Sequence, residues 1–398
     1  MNKHAVIIPL IGGMPIAMEH VFKRPPEYIL SYTPFAANDA QYRAYRPNVP
    51  YMFIDKNEAK SFKLAPVDIV TTLCPCAGLS SLSPSAAAES TTNDWMTITA
   101  KYVLSELEPK VFWGENAPRL ASKMGEPTVN RLREIAKYNG YTFSLYKTKS
   151  ILHGLSQVRD RSFYFFWKGT ETPILKYFRR KHETIDETIL NAFVSKDDPM
   201  NMPANNRAPM DDPYYRFIRT KIYPNFTHAE IVEKQVKSIN GMSLIEDNGI
   251  SYDEVAKWME QQGELKKAAR CREIKVKLAS GGNIMRKICE FPKDHIGAFV
   301  GHMPSQLMHP FEERFLTVRE CLAIMKMPSD FQLQGGLKNL NMICQSVPVT
   351  TAADLASEIL AYLNGKRDTV TTSFLVQDNK KQTSSIAPMP CVTLNEFM

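Results

Sequence analysis

A doubly wound α/β sheet is the fold class predicted by the first 170 or so residues, and three observations predict it. Short apolar runs rich in β-branched and aromatic residues recur along this stretch, as buried strands do. Amphipathic segments of helical length separate them, which is the pattern of parallel strands joined by crossovers. A loop of small residues follows one of the most apolar runs, and ligands of such sheets gather at the carboxyl ends of strands.

Taken in order, "HAVIIPL" predicts a strand and "GGMPIAMEHVF" a turn into a helix. "EYILSYT" predicts a second strand, and "AANDAQYRAY" a second helix that stops at Arg46-Pro47, because a residue before proline is steered away from helical geometry. Then come the strands "YMFID" and "VDIVTTL", the helix "WMTITAKYVLSELEP", the strand "KVFWGEN", the helix "VNRLREIAKYNG" and the strands "YTFSLYKT" and "RSFYFFW". From about residue 168 the alternation breaks. "SKDDPMNMPANNRAPMDDPYY" is rich in Pro, Asn and Asp, and around it basic residues interleave with aromatic and aliphatic ones, so a second, smaller, loop-rich domain is expected. Acidic residues are nearly as frequent there, and solvated helix faces would look the same. Helical periodicity returns in "RFLTVRECLAIMKM" and "TAADLASEILAYLNG", and the segment after Gly365 is polar with weak periodicity, expected as a surface tail.

The chain of 398 residues is long enough for two domains. Its seven scattered cysteines have no framework spacing, which favours reduced thiols and a cytoplasmic setting. No apolar stretch approaches the roughly 18 residues of a membrane span, so a soluble protein without membrane association is expected. A formal charge of +7 permits a polyanionic partner without demanding one.

"TTLCPCAGLSS" places Cys76 in the loop after a buried strand, where α/β enzymes keep their chemistry. C-P-C lacks the spacing of thioredoxin-like sites, and no second Cys or His pair stands at zinc-site spacing; no metal site is expected. An inert buried thiol is the competing reading of any single cysteine. A later strand end carries Glu115 and Asn116, and "HGLSQVRDRSFYFFW" sets Gln157, Arg159 and Arg161 in an i, i+2, i+4 array, which on a strand leaves one face.

In this order the blocks resemble the cytosine-C5 DNA methyltransferases: Pro75, Cys76 and Ser80; Glu115 and Asn116; Gln157, Arg159 and Arg161; Arg314, Leu316, Thr317, Arg319 and Glu320; and Ser346 to Pro348 ahead of a closing helix. The resemblance implies a Rossmann-like, class I methyltransferase sheet with a smaller loop-rich target-recognition domain. Residues 1–167 would be the first part of the catalytic domain, 168–308 the target-recognition domain, 309–365 the closing part and 366–398 a C-terminal tail. It implies a monomer acting on double-stranded DNA in the cytoplasm of a bacterial or phage-infected cell, in a restriction, phage or mobile-element setting.

It also implies roles. Cys76 would attack carbon 6 of a flipped cytosine, with Glu115 hydrogen-bonding the ring and Arg159 and Arg161 supplying cationic donors. Ser80, Asn116 and Gln157 would bind substrate, and the loop after Cys76 would close over the base. The implied donor is S-adenosylmethionine or a modified analogue of it, met by Leu10, Gly12, Gly13, Thr33, Asp55, Pro75 and Ser346. Four positions depart from the family pattern. Ile8 and Leu10 stand where Phe and the first Gly of a Phe-x-Gly-x-Gly-Gly turn are usual, Thr33 stands where an acid is usual, and Cys74 replaces a proline. A silent DNA-binding paralogue, a C5 transferase with another donor, and an RNA substrate are the alternatives.

Overall fold

The computed structural model describes residues 2–81, 83, 86–192, 195–234, 241–281, 289–292, 294–301 and 303–386. Its strands are β1 (His4–Ile7), β2 (Ile29–Ser31), β3 (Tyr51–Phe53), β4 (Ile69–Thr72), β5 (Val111–Asn116), β6 (Tyr141–Lys149), β7 (Asp160–Lys168), β8 (Glu171–Pro173), β9 (Thr369–Thr371), β10 (Phe374–Asp378) and β11 (Thr383–Ile386). Nine of them form one sheet in the order β11-β10-β6-β7-β5-β4-β1-β2-β3, and β8 pairs with β9 apart from it. β1 lies parallel between β2 and β4, and β4 lies parallel to β5 with Thr72 opposite Gly114. β1, β4 and β5 are buried along their whole length, which is why their apolar stretches, Ala5–Ile7, Ile69–Val70 and Val111–Trp113, run on without polar alternation.

The helices Gly13–Phe22, Ala36–Tyr45, Asp94–Tyr102 and Glu126–Tyr138 fall where the periodicity predicts them. β7 differs from the parallel expectation: it runs antiparallel to both β5 and β6. No crossover helix separates it from β6, so the chain returns beside β6 in the opposite sense.

The chain divides into two compact units. The first comprises residues 1–154, 160–181 and 346–398, the second 155–159 and 182–345. These limits differ from those expected at 167/168 and 308/309. Residues 174–180 stay with the sheet because their backbone is satisfied there: the Leu175 amide donates to Gln377 Oε1 (2.8 Å), that of Lys176 to Glu358 Oε2 (2.9 Å) and that of Phe178 to Asn379 Oδ1 (2.8 Å). Residues 309–345 stay with the second unit, where the Leu316 amide donates to the Leu307 carbonyl and the Val318 amide to that of Met202, both at 2.9 Å. The expected tail is likewise not one, since β9, β10 and β11 are paired and β10 extends the main sheet beside β6. Residues 387–398 of that segment lie outside the described residues.

The second unit has its own core, built from Tyr214, Tyr215, Phe217, Val255, Met259, Cys271 and Phe291 among others. Its basic stretch is the helix Leu265–Ala279, which buries Ala268, Cys271 and Ile274, an i, i+3, i+6 stripe. Arg272 pairs with Glu260 at 2.7 Å, and Lys275 pairs with Asp253. Among the described residues no helix is long and apolar enough to cross a membrane.

Candidate active site

β4 and β5 are neighbours and parallel, so their carboxyl ends open on the same side of the sheet. Cys76 follows β4 as the residue that starts the short 3-10 turn Ala77–Leu79, and its carbonyl accepts from the Leu79 amide at 3.0 Å. Glu115 and Asn116 end β5, both buried. The Asn116 side-chain amide donates to the Pro75 carbonyl (3.4 Å), while its oxygen accepts from the Ala117 amide (2.8 Å). One side chain thus ties the Pro75-Cys76 turn to the end of β5. Glu115 forms an ion pair with Arg161, which stands near the start of β7.

The two cysteines around Pro75 have different surroundings. Cys76 is half-buried and Cys74 is buried. Cys74 Sγ lies 3.6 Å from Thr72 Oγ1 and 3.8 Å from Thr99 Oγ1 and from the Tyr164 hydroxyl, which donates to it. Burial pushes the Cys74 thiol above its ordinary range, as a thiolate there would lack solvation. Tyr164 reaches this place because β5 has a glycine opposite it: a Cβ on Gly114 would lie 2.4 Å from the Tyr164 ring.

Part of the loop expected to be mobile is anchored. The Ala87 amide donates to the Gly78 carbonyl at 3.0 Å, and the Asn93 side chain donates to the carbonyls of Ala87 and Ala88 at 3.2 and 3.1 Å. Ser80 is half-buried beside it. Residues 82, 84 and 85 lie outside the described residues.

The expected one-face array of Gln157, Arg159 and Arg161 does not form. β7 starts at Asp160, whereas Gln157 bridges to Ile296 and the Val158 amide donates to the Ile296 carbonyl at 2.9 Å. The segment is therefore paired within the second unit before the strand begins. Gln157 Nε2 donates to the Ile324 carbonyl at 3.1 Å, and the Arg159 guanidinium donates to the carbonyls of Phe299 (2.7 Å) and Cys344 (2.9 Å). Arg161 alone of the three lies on the sheet.

At β1 the turn keeps the backbone course that glycines favour, although two glycine-free positions carry it. Ile8 and Leu10 have φ of 54° and 50°, in the left-handed region, and Gly12 has φ of 106°. Leu10 is held by its amide, which donates to Asp39 Oδ1 at 3.0 Å. The buried Asp39 carboxylate also accepts from the hydroxyls of Ser31 and Tyr51, so it joins the ends of β1, β2 and β3. Burial pushes its pKa up to about 6, against the opposing pull of those hydrogen bonds. Sequence reasoning missed Asp39, which sits in a polar helix with no local sign that its carboxyl turns inward.

The other expected donor-binding positions meet in pairs. The Thr33 amide donates to both oxygens of Asp55 at 3.1 and 3.0 Å, and both residues are exposed. A Cβ on Gly13 would lie 2.0 Å from the Val347 carbonyl oxygen and 2.2 Å from Ser346 Oγ, so the first and last sequence blocks touch at a place where side-chain atoms cannot enter. Tyr32, Phe35 and Trp95 form an aromatic cluster after β2, with Trp95 ring centroids 5.0 and 4.9 Å from the other two. The Arg314 to Glu320 block serves structure. Thr317 caps the helix Val318–Ile324, Glu320 returns to the Thr317 amide at 2.8 Å and binds Arg314 by two contacts of 2.8 and 2.9 Å, and Arg319 Nε pairs with Asp198 at 2.6 Å.

A mostly parallel sheet with an inserted antiparallel β7 and a cysteine loop after β4 is a class I methyltransferase fold. The chain belongs to the C-5 cytosine-specific DNA methylase family, whose model matches residues 11–361. Among solved structures it is similar to a protein described as a DNA modification methyltransferase encoded within an E. coli prophage. That match has 14% identity and a TM-score of 0.57, covering 92% of this chain and all of that one. It is also similar to the methyltransferase EhMeth of Entamoeba histolytica (12%, TM-score 0.52, covering 91% and 99%) and to a mutant DNMT2 of Spodoptera frugiperda (13%, 0.51, covering 90% and 100%). At these identities the likeness is one of fold. No curated protein matches the chain.

Proposed function

We propose that this family member methylates carbon 5 of cytosine in double-stranded DNA with Cys76 as the nucleophile. The observation that carries the reading is the hydrogen bond from Asn116 to Pro75, which couples the cysteine turn to the strand end bearing Glu115. Carbon 5 of cytosine is a poor nucleophile until the ring is attacked at carbon 6. The Cys76 thiolate adds there, and carbon 5 becomes an enamine-like centre. Glu115 hydrogen-bonds N3 and the exocyclic amine as charge develops, and Arg161 holds its carboxyl in orientation. After transfer a base removes the carbon 5 proton, the C–S bond breaks and the thiolate returns. The target must leave the base stack for this to occur.

S-adenosylmethionine, when bound, supplies an electrophilic methyl group. The residues present fit such a donor. Asp55 is an exposed acceptor after β3, and half-buried Trp95, packed on the buried Tyr32 and Phe35, offers apolar surface for a purine. Arg159 is assigned a bracing role through Phe299 and Cys344, and Gln157 through Ile324.

The test is the mass of cytosine nucleosides in DNA from cells expressing the chain, compared with cells expressing Cys76→Ala. One added methyl that depends on Cys76 is expected. A heavier Cys76-dependent adduct would replace the donor, and no Cys76-dependent product would overturn the proposal.

A further inference from the structure

We infer that His182, Asp294 and His295 form a binding site for a divalent transition ion of the zinc class, which clips together two segments of the second unit. One carboxylate oxygen, Asp294 Oδ2, lies 2.7 Å from His295 Nδ1 and 3.1 Å from His182 Nε2. The rings are nearly perpendicular, at 82° with centroids 5.8 Å apart, so their nitrogens converge on the carboxylate instead of the rings stacking. One ligand atom from each residue lies within 4.8 Å of the others. In a tetrahedral zinc site, with bonds of about 2.0–2.2 Å, such atoms stand about 3.4 Å apart. Rotation of exposed side chains closes that difference.

The donor set selects the ion. Two imidazoles and one carboxylate suit zinc and its neighbours, whereas magnesium and calcium prefer all-oxygen sites. The side chains are 29%, 51% and 30% exposed for His182, Asp294 and His295, so an ion can enter and water can complete its coordination. His182 lies 112 residues from Asp294 in the chain, and the adjacent Asp294-His295 pair alone makes no metal motif, which is why none announces the site.

The backbone around the ligands is already set. The Ile185 amide donates to the Asp294 carbonyl at 2.7 Å, and the Ile296 amide to the Ser156 carbonyl at 2.9 Å. The ion would therefore pin His182 to the 294–296 strip on which the segment carrying Gln157 and Arg159 is paired. Its effect is to steady that segment, whatever reaction the first unit performs.

The full-length protein, stripped with a chelator and dialysed, is titrated with zinc chloride by calorimetry alongside His182→Ala, Asp294→Asn and His295→Ala. Cobalt chloride provides a spectroscopic probe. One saturable zinc equivalent is expected in the parent and lost in each variant, with a cobalt spectrum free of thiolate charge transfer. Hydrogen exchange at the Val158 and Ile296 amides should slow at least tenfold when zinc is added to the parent. Metal-free melting temperatures matching the parent's would show that the variants fold. No saturable zinc binding, binding undiminished in all three variants, or a thiolate–cobalt spectrum would each overturn the site.

Discussion

Arg161 on β7 pairs with Glu115 on β5 across an antiparallel ladder that sets Glu115 opposite Phe163. The two are diagonal neighbours on one face, within reach of long side chains. The arginine aims the carboxylate, and each depends on the other. Glu115→Gln is expected to slow methyl transfer by roughly 10² to 10⁴, as for loss of a positioned acid–base group. Arg161→Ala should slow it too, and the double variant should lose less than the product of the single losses. Single-turnover transfer from labelled donor checks this; multiplicative losses would refute the coupling.

The two cysteines should separate cleanly. Cys76→Ala is expected to abolish product while DNA binding persists. Cys74→Ala should retain activity and lose about 1 kcal/mol of stability, near the centre of the range for point substitutions. Denaturant melts and a methylation assay on both variants decide the matter, and activity that follows Cys74 instead would reverse the assignment.

Gly13→Ala should lower stability by about 1–3 kcal/mol, the usual cost of overpacking, and weaken donor binding with it. The nearest atom to the added carbon is the Val347 carbonyl oxygen, a backbone group. Removing the Ser346 hydroxyl by Ser346→Gly should therefore restore little. Melting of the single and double variants tests this, and full recovery in the double variant would show that the carbonyl gives way.

Burial raises Asp39 from 3.8 to about 6. Between those values the folded chain keeps a proton that the unfolded chain has released. The stabilisation from this group is therefore full below about pH 4 and lost as pH rises through 6. Relative to Asp39→Asn, the parent should lose about 2 kcal/mol between pH 4 and pH 7. Urea melts of both proteins across that range give the difference directly, and parallel pH profiles would place the carboxyl in solvent.

Much of the sheet was legible because β1, β4 and β5 are buried on both faces and each carries an apolar run there, Ala5–Ile7, Ile69–Val70 and Val111–Trp113. β11 was not, since all four of its residues are exposed and only pairing with β10 makes it a strand. Cys76, Glu115 and Asn116 could be placed because each stands next to a strong strand signal. Gln157 and Arg159 were misread for the same reason: nearness to β7 suggested its register, while their partners, Ile324, Phe299 and Cys344, are remote in sequence. Asp39 escaped notice because burial of one carboxylate in a polar helix leaves no trace in periodicity.

The contact between Gly13 and the Ser346-Val347 pair also bears on how the chain is made. Residues 14–345 separate them in the sequence and must be synthesised first, on the order of 15–65 s at about 5–20 residues per second. Through that interval the nascent β1 turn has no closing partner and β6 has no β10 beside it. An exposed edge of this kind is a place for chaperones or unwanted strand pairing. Codon usage across 182–345 would then influence the yield of folded protein without altering a single residue.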